Sequence, residues 1–208
     1  MSDAIVMNLR LITEPTAEPI TLEQARLHLR LDAEGSPATH PDDTLVEGLI
    51  KTAREYLDGD DGLLGRCLMT QTWELVMDQF PGCEIRVPLP PLQSITSVKY
   101  DDLDGVEQTI ASSNYIVDNV AKNKPGWIVP IAAYAWPATL DRINGVRVRF
   151  VAGYGNAAQI PTPIIHAMYL WIGHLYGNRE QVAPTNMQAI PFGVEALLAN
   201  YRIMGFGG

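Results

Sequence analysis

Cysteine is scarce in this chain of 208 residues: Cys67 and Cys83 are the only two, and neither belongs to a CxxC pair or sits beside a histidine at metal-ligand spacing. That excludes a disulfide scaffold and a cysteine-based zinc site, and it fits reduced thiols in a cytosolic protein. Basic charge is also short. Fifteen Lys and Arg face 24 Asp and Glu, giving a net charge of −9 and a pI near 4.8. There is no basic footprint to attract phosphate backbones or anionic lipid. Long apolar runs are missing too. The longest, Ile164 to Tyr176, contains His166 and His174 and falls short of the ~20 residues that cross a bilayer, so it reads as a buried helix. The opening MSDAIVMNLRLITEP has an acid near its start and Arg10 among its apolar residues, unlike a secretory signal, and no export is expected. Internal repeats and low-complexity tracts are absent.

What is present is ordinary globular material, 47% hydrophobic and 19% charged, long enough to bury a sizeable core. A single domain over 1–208 is expected, in three stretches. In 1–66, Thr21 with Gln24 forms a capping box ahead of a helix carrying Leu22, Ala25 and Leu29 on one face and ending near Asp32. Asp42 or Asp43 caps a second helix with Leu45, Leu49, Ala53 and Leu57 recurring every fourth residue, stopped by DGDDG. In 67–155 the pattern turns to short β-favouring runs: TQTWELVMDQF, EIRVPL, ITSVKYDD, NYIVDN, GWIVP and VRVRFVAGYG. Trp73, Leu75 and Met77 alternate with Thr72, Glu74, Val76 and Asp78, so one face is core and the other wet. DDLDG at 101–105 reads as a hairpin turn with Gly105 at positive φ. In 156–208 a helix begins after Pro161 and Pro163 and is apolar nearly all round, so it must be covered all round. A last helix shows Val194, Leu197, Leu198 and Tyr201 as one stripe. The fold class is α+β: a helical bundle of two N-terminal and two C-terminal helices with an inserted antiparallel β module.

A search for chemistry finds little. His28, His40, His166 and His174 are scattered, and the last two lie eight apart on one helix with no carboxylate between them. No GxSxG elbow exists, and GYG at 153–155 lacks the third glycine of a dinucleotide fingerprint and reads as a strand-to-helix turn. Asp58, Asp60 and Asp61, and Asp101, Asp102 and Asp104, form two acidic clusters. Calcium needs converging oxygens, and DGDDG lacks the fifth- and twelfth-position ligands of an EF-hand loop; a helix stop and a hairpin turn account for both clusters. Trp127 and Trp136 could form a shelf for a sugar, or could be core. The expectation is no catalytic residue, no cofactor and no metal. A carbohydrate- or calcium-binding β module is the alternative from another class.

Three stretches together resemble the head–tail adaptor (connector) proteins of tailed bacteriophages and gene-transfer particles. They are ITLEQARLHLRLD with DDTLVEGLIKTAREYLD; QTWELVMDQFP with PLPPLQSITSVKYDDLDG; and VRFVAGYG, IPTPIIHAMYLWIGHLYGNRE and LLANYR. The likeness runs over about residues 8–203. The residues before Met7 precede the usual family start. The resemblance implies a non-enzymatic subunit of a homo-oligomeric ring, typically a dodecamer, that docks beneath the portal protein in the particle neck. It would join the head to the stopper and tail and continue the DNA channel without binding DNA specifically. Assembly would take place in the host cytoplasm. Its C-terminal segment would reach the portal, which names Tyr201, Arg202, Ile203, Met204 and Phe206 as partner contacts. Met168, Trp171, Leu175 and Tyr176 on the third helix would pack between subunits. Another neck component, a stopper or a tail terminator, is the nearest alternative, disfavoured by helices coming first and last.

Overall fold

The computed structural model describes residues 7–35, 38–179 and 192–203. The described residues divide into two compact units, one within 7–16 and 70–155, the other within 17–69 and 156–203.

The first unit holds two antiparallel sheets. Five strands lie in the order β1 (Met7–Thr13), β2 (Gln71–Met77), β8 (Val146–Ala152), β4 (Leu92–Asp101) and β5 (Glu107–Ile110). Three more lie in the order β3 (Ile85–Val87), β7 (Gly126–Pro130) and β6 (Tyr115–Asp118). The expected alternation fixes the large sheet's faces. Trp73, Leu75 and Met77 pair with Phe150, Val148 and Val146, and all six are buried. The β4–β5 hairpin turns at DDLDG as expected, with Gly105 at φ 78° and Asp102 accepting the amides of Asp104 and Val106 at 3.1 and 2.9 Å. The smaller sheet buries Ile85, Val87, Tyr115 and Ile128.

Two expectations about this unit change. The β module is not a contiguous insertion between helices, because β1 comes from the N-terminal side of both and pairs with β2 from Met7↔Met77 to Thr13↔Thr72. The described residues therefore open with a strand. And the face opposite the core is not uniformly wet: Glu74 is buried, since Arg10 of β1 and Arg149 of β8 sit directly across from it in register and both bind its carboxylate.

The second unit holds the helices: α1 (Leu22–Leu29), α2 (Asp43–Leu57), α3 (Thr162–Gly177) and α4 (Phe192–Leu198). The Thr21–Gln24 capping box forms in both directions, and α1 stops at Leu29, earlier than expected, where Arg30 turns left-handed at φ 58°. Helix α2 buries Val46, Ile50, Ala53 and Leu57, leaving Leu45 exposed, so the apolar face is rotated from the predicted one. Val46 and Ile50 win because they follow the i, i+4, i+7, i+11 stripe that contains Ala53 and Leu57. Helix α3 buries Ile164, Ala167, Met168 and Ile172 and packs against α1, α2 and α4. Its remaining apolar residues are half-buried, so its own unit supplies most of the cover that its composition demands.

Candidate functional site

The expected portal-facing segment begins as part of the helical unit. Helix α4 buries Val194 and Leu198, and a final 3-10 turn, Ala199–Tyr201, carries the chain out. There the Ile203 amide donates to the Leu64 carbonyl at 2.9 Å, and the guanidinium of the fully buried Arg66 lies 5.9 Å from the Tyr201 ring centre. Gly65 makes this docking possible. It has φ 60°, and a Cβ on it would stand 3.0 Å from the Ile203 carbonyl oxygen. Gly65→Ala is expected to cost about 1–2 kcal/mol, from left-handed strain plus the displaced Ile203, read as a lower urea midpoint. Of the five expected partner contacts, Tyr201 and Ile203 are thus half-buried against the protein's own 63–66 loop, Arg202 is exposed, and Met204 and Phe206 lie outside the described residues.

The expected packing residues of α3 separate as well. Met168 is fully buried inside its own unit, so its packing is intrachain, a correction forced by the stripe it shares with Ile164 and Ile172. Trp171, Leu175 and Tyr176 are half-buried. Trp171 stacks on His174 with ring centres 5.6 Å apart and meets Tyr56 at 5.5 Å, while its buried Nε1 finds no hydrogen-bond acceptor among the described residues. Tyr176 is held by a polar clamp that ties the start of α2 to the end of α3. Its hydroxyl donates to Asp42, Arg179 binds the same Asp42 carboxylate at 2.7 Å, and the Arg179 guanidinium lies 4.3 Å from the Tyr176 ring centre. The Tyr176 hydroxyl, then Arg179, hold the Asp42 carboxyl below its ordinary range, and the same hydrogen bond raises Tyr176. Next to it Arg26 grips Asp43 through two bonds, Nε at 2.6 Å, and lowers that carboxyl too. Tyr176→Phe is expected to move the Asp42 titration midpoint upward in carboxyl-resolved NMR, toward that of an ordinary aspartate, with the helices intact.

Residues considered for chemistry are engaged in holding the fold. Asp58 is buried and accepts from the Leu68 amide at 2.7 Å, fixing the turn after α2. Asp60 and Asp61 are surface residues; partial desolvation by the surrounding turn and then the Asp61 charge raise the Asp60 carboxyl. Asp101 binds Arg147 at 2.6 Å and Arg142 at 3.1 Å, and Asp102 closes the hairpin. Trp136 stacks on Phe80 at 4.9 Å and 4°, donates from Nε1 to the Cys83 carbonyl at 2.7 Å, and has Tyr134 edge-on, while Trp127 is half-buried on β7. His28 packs on Tyr169 at 5.0 Å, and the His40 Nδ1 accepts the Asp42 amide at 3.0 Å. Gly153 and Gly155 take φ of 118° and 112° in the expected turn. Among the described residues, no three His, Cys, Asp or Glu side chains are arranged to hold a metal, and no helix is long and apolar enough to cross a membrane. Cys67 is buried and Cys83 exposed, with no disulfide between them.

One feature of the surface was not foreseen. The outer face of the large sheet carries a cross-strand charge ladder in which Arg10, Glu74 and Arg149 align in one row, and Arg147 and Lys99 in the next. The signal was present in MNLRLIT, WELVM and VRVRF, whose charged residues all occupy the polar phase of the alternation.

No protein-family model matches the chain, and no curated protein matches it at significance. Solved structures do. A chain in the neck of an empty gene transfer agent (GTA) particle, computed with C6 symmetry, superposes with a TM-score of 0.76 at 22% identity, covering 97% of this chain and 98% of that one. The fold is one found in gene transfer agent particles. A chain in the virion of a native GTA particle gives 0.73 at 23% identity over 96% and 98%, and one in the native GTA neck computed with C12 symmetry gives 0.67 at 20% over 97% and 98%. The matched stretches take in residues of both units.

Proposed function

We propose that the protein is a structural subunit of the neck of a phage-like particle, and within it the head–tail adaptor. It would form a ring beneath the portal, join the capsid to the stopper or tail, and continue the DNA channel. The observation that carries this reading is the near-complete coverage, in both directions, between this chain and chains of GTA necks. The computed C6 and C12 symmetries of those necks support a ring, and the ordered sequence blocks from residue 8 to 203 support the adaptor position within it. The net charge of −9 suits a channel wall along which DNA slides, because carboxylates facing phosphates discourage adhesion. Carboxylates and aromatics that might have served a ligand are instead hydrogen-bonded or stacked within the fold, which agrees with a non-enzymatic role.

Mixing purified protein with portal rings and imaging by negative stain tests the reading. Added density at the base of the portal is the expected result. Bare portals across salt and pH would overturn it.

A further inference from the structure

The outer face of the five-stranded sheet departs from the charge of the rest of the molecule. Over β1, β2 and β8 its carboxylate lies low and its cations stand high, the Glu74 side chain being 5% exposed against 64% for Arg10 and 42% for Arg149; toward β5, Asp101 is 7% exposed but Glu107 is 48% exposed beside Lys99 at 40% and Arg147 at 22%. Arg149 reaches Glu74 through Nη2 at 2.9 Å and its side chain stays 42% exposed, so the outer edge of the guanidinium is open to a second carboxylate. The helical unit is the opposite. Residues 17–69 and 156–204 carry thirteen acidic against seven basic side chains, a net −6. Glu23, Asp32, Glu34, Glu47, Asp60 and Asp61 are all exposed there.

A closed ring of more than two copies requires a heterologous contact, one patch of each subunit meeting a different patch of the next. We propose that the outer sheet face around Arg10, Arg149 and Lys99 is one side of that contact, and that it receives the acidic helical unit of a neighbouring copy. The inference rests on the ring reading above and names its interface. Each cation on the face already holds a carboxylate, so the residual positive charge is small. That suits discrete protein carboxylates and gives little hold on a polyanion such as DNA.

Sedimentation velocity of the full chain tests this. At about 50 mM NaCl the wild type is expected to self-associate, and at about 500 mM to do so at least tenfold more weakly. Arg10→Glu with Arg149→Glu is expected to abolish association. Because that variant leaves Glu74 buried without a cation, Arg10→Gln, Glu74→Gln and Arg149→Gln together provide a neutral, hydrogen-bonding row. This triple variant should keep the wild-type circular dichroism and associate at least tenfold more weakly. Wild-type-like association by the triple variant overturns the proposal while leaving the neck reading standing if portals still capture it. A wild type that stays monomeric at low salt also overturns it, as does binding of a short DNA duplex that the triple variant loses.

Discussion

Removing residues 204–208 is expected to abolish attachment to the portal while leaving urea unfolding unchanged. The placement of the cut follows from the structure. Ile203 is fastened to the Leu64 carbonyl and closes over Gly65, and Tyr201 lies beside buried Arg66. A deletion that includes them would expose the 63–66 loop and confuse loss of folding with loss of docking. Cutting after Ile203 retains every contact of the segment described within the helical unit and takes away Met204 and Phe206, two large apolar side chains flanked by glycines. An apolar segment of that kind gains its affinity by entering a partner groove, so its loss leaves little to hold a weakly complementary surface. The measurement is co-sedimentation with portal rings, beside a urea titration of the same sample. Full attachment of the truncated chain would move the portal contact elsewhere on the molecule.

The α+β class, the strands β2, β3, β4, β6, β7 and β8 and the positions of α1 and α3 were legible because each rests on a local pattern: alternation in TWELVM and VRVRF, the Thr21–Gln24 box, prolines opening α3. β1 was equally local. MNLRLIT alternates Met7, Leu9 and Leu11 against Asn8 and Arg10, and the Arg10 that interrupts the apolar residues is equally the wet phase of a strand. The rotation of α2's buried face was also readable, since positions 46, 50, 53 and 57 keep to one stripe while 45, 49, 53 and 57, strictly every fourth residue, drift around a helix of about 3.6 residues per turn. Met168 was not readable in that way. Composition showed that α3 must be covered, and whether the cover comes from α1, α2 and α4 or from another copy depends on where the chain returns in space. The ladder on the sheet face required register, which sets Arg10, Glu74 and Arg149 side by side across 139 positions of sequence only after the strands are paired. Fold was therefore more readable than surface, and the surfaces are where assembly acts.

Asp101→Ala is expected to destabilise the sheet unit by about 2–3 kcal/mol, because it strands two guanidiniums over a shielded site. Asp101 accepts from Arg147 at 2.6 and 3.4 Å and pairs with Arg142 at 3.1 Å, and its side chain is only 7% exposed. The figure stays below that for a fully buried pair because Arg142 is half-exposed to water and Arg147 keeps Glu107 at 2.9 Å. The Arg147 hydrogen bond holds the Asp101 carboxyl below its ordinary value, and Lys99, then Arg147, do the same to Glu107. A depressed carboxyl contributes stability that is present in full above its unfolded pKa, near 4, and that disappears as pH falls through the lower folded value. The difference between wild type and Asp101→Ala in urea midpoint should therefore be constant from neutral pH down to about 5 and shrink below about 4. A difference that persisted unchanged at pH ~2 would mean that Asp101 acts by shape and not by charge. Because Arg147 shares its row of the sheet face with Lys99, acid that releases the Asp101 and Glu107 carboxylates also leaves that face more cationic. Stability of the sheet and the charge it presents to a neighbour are thus set by the same pair of carboxylates.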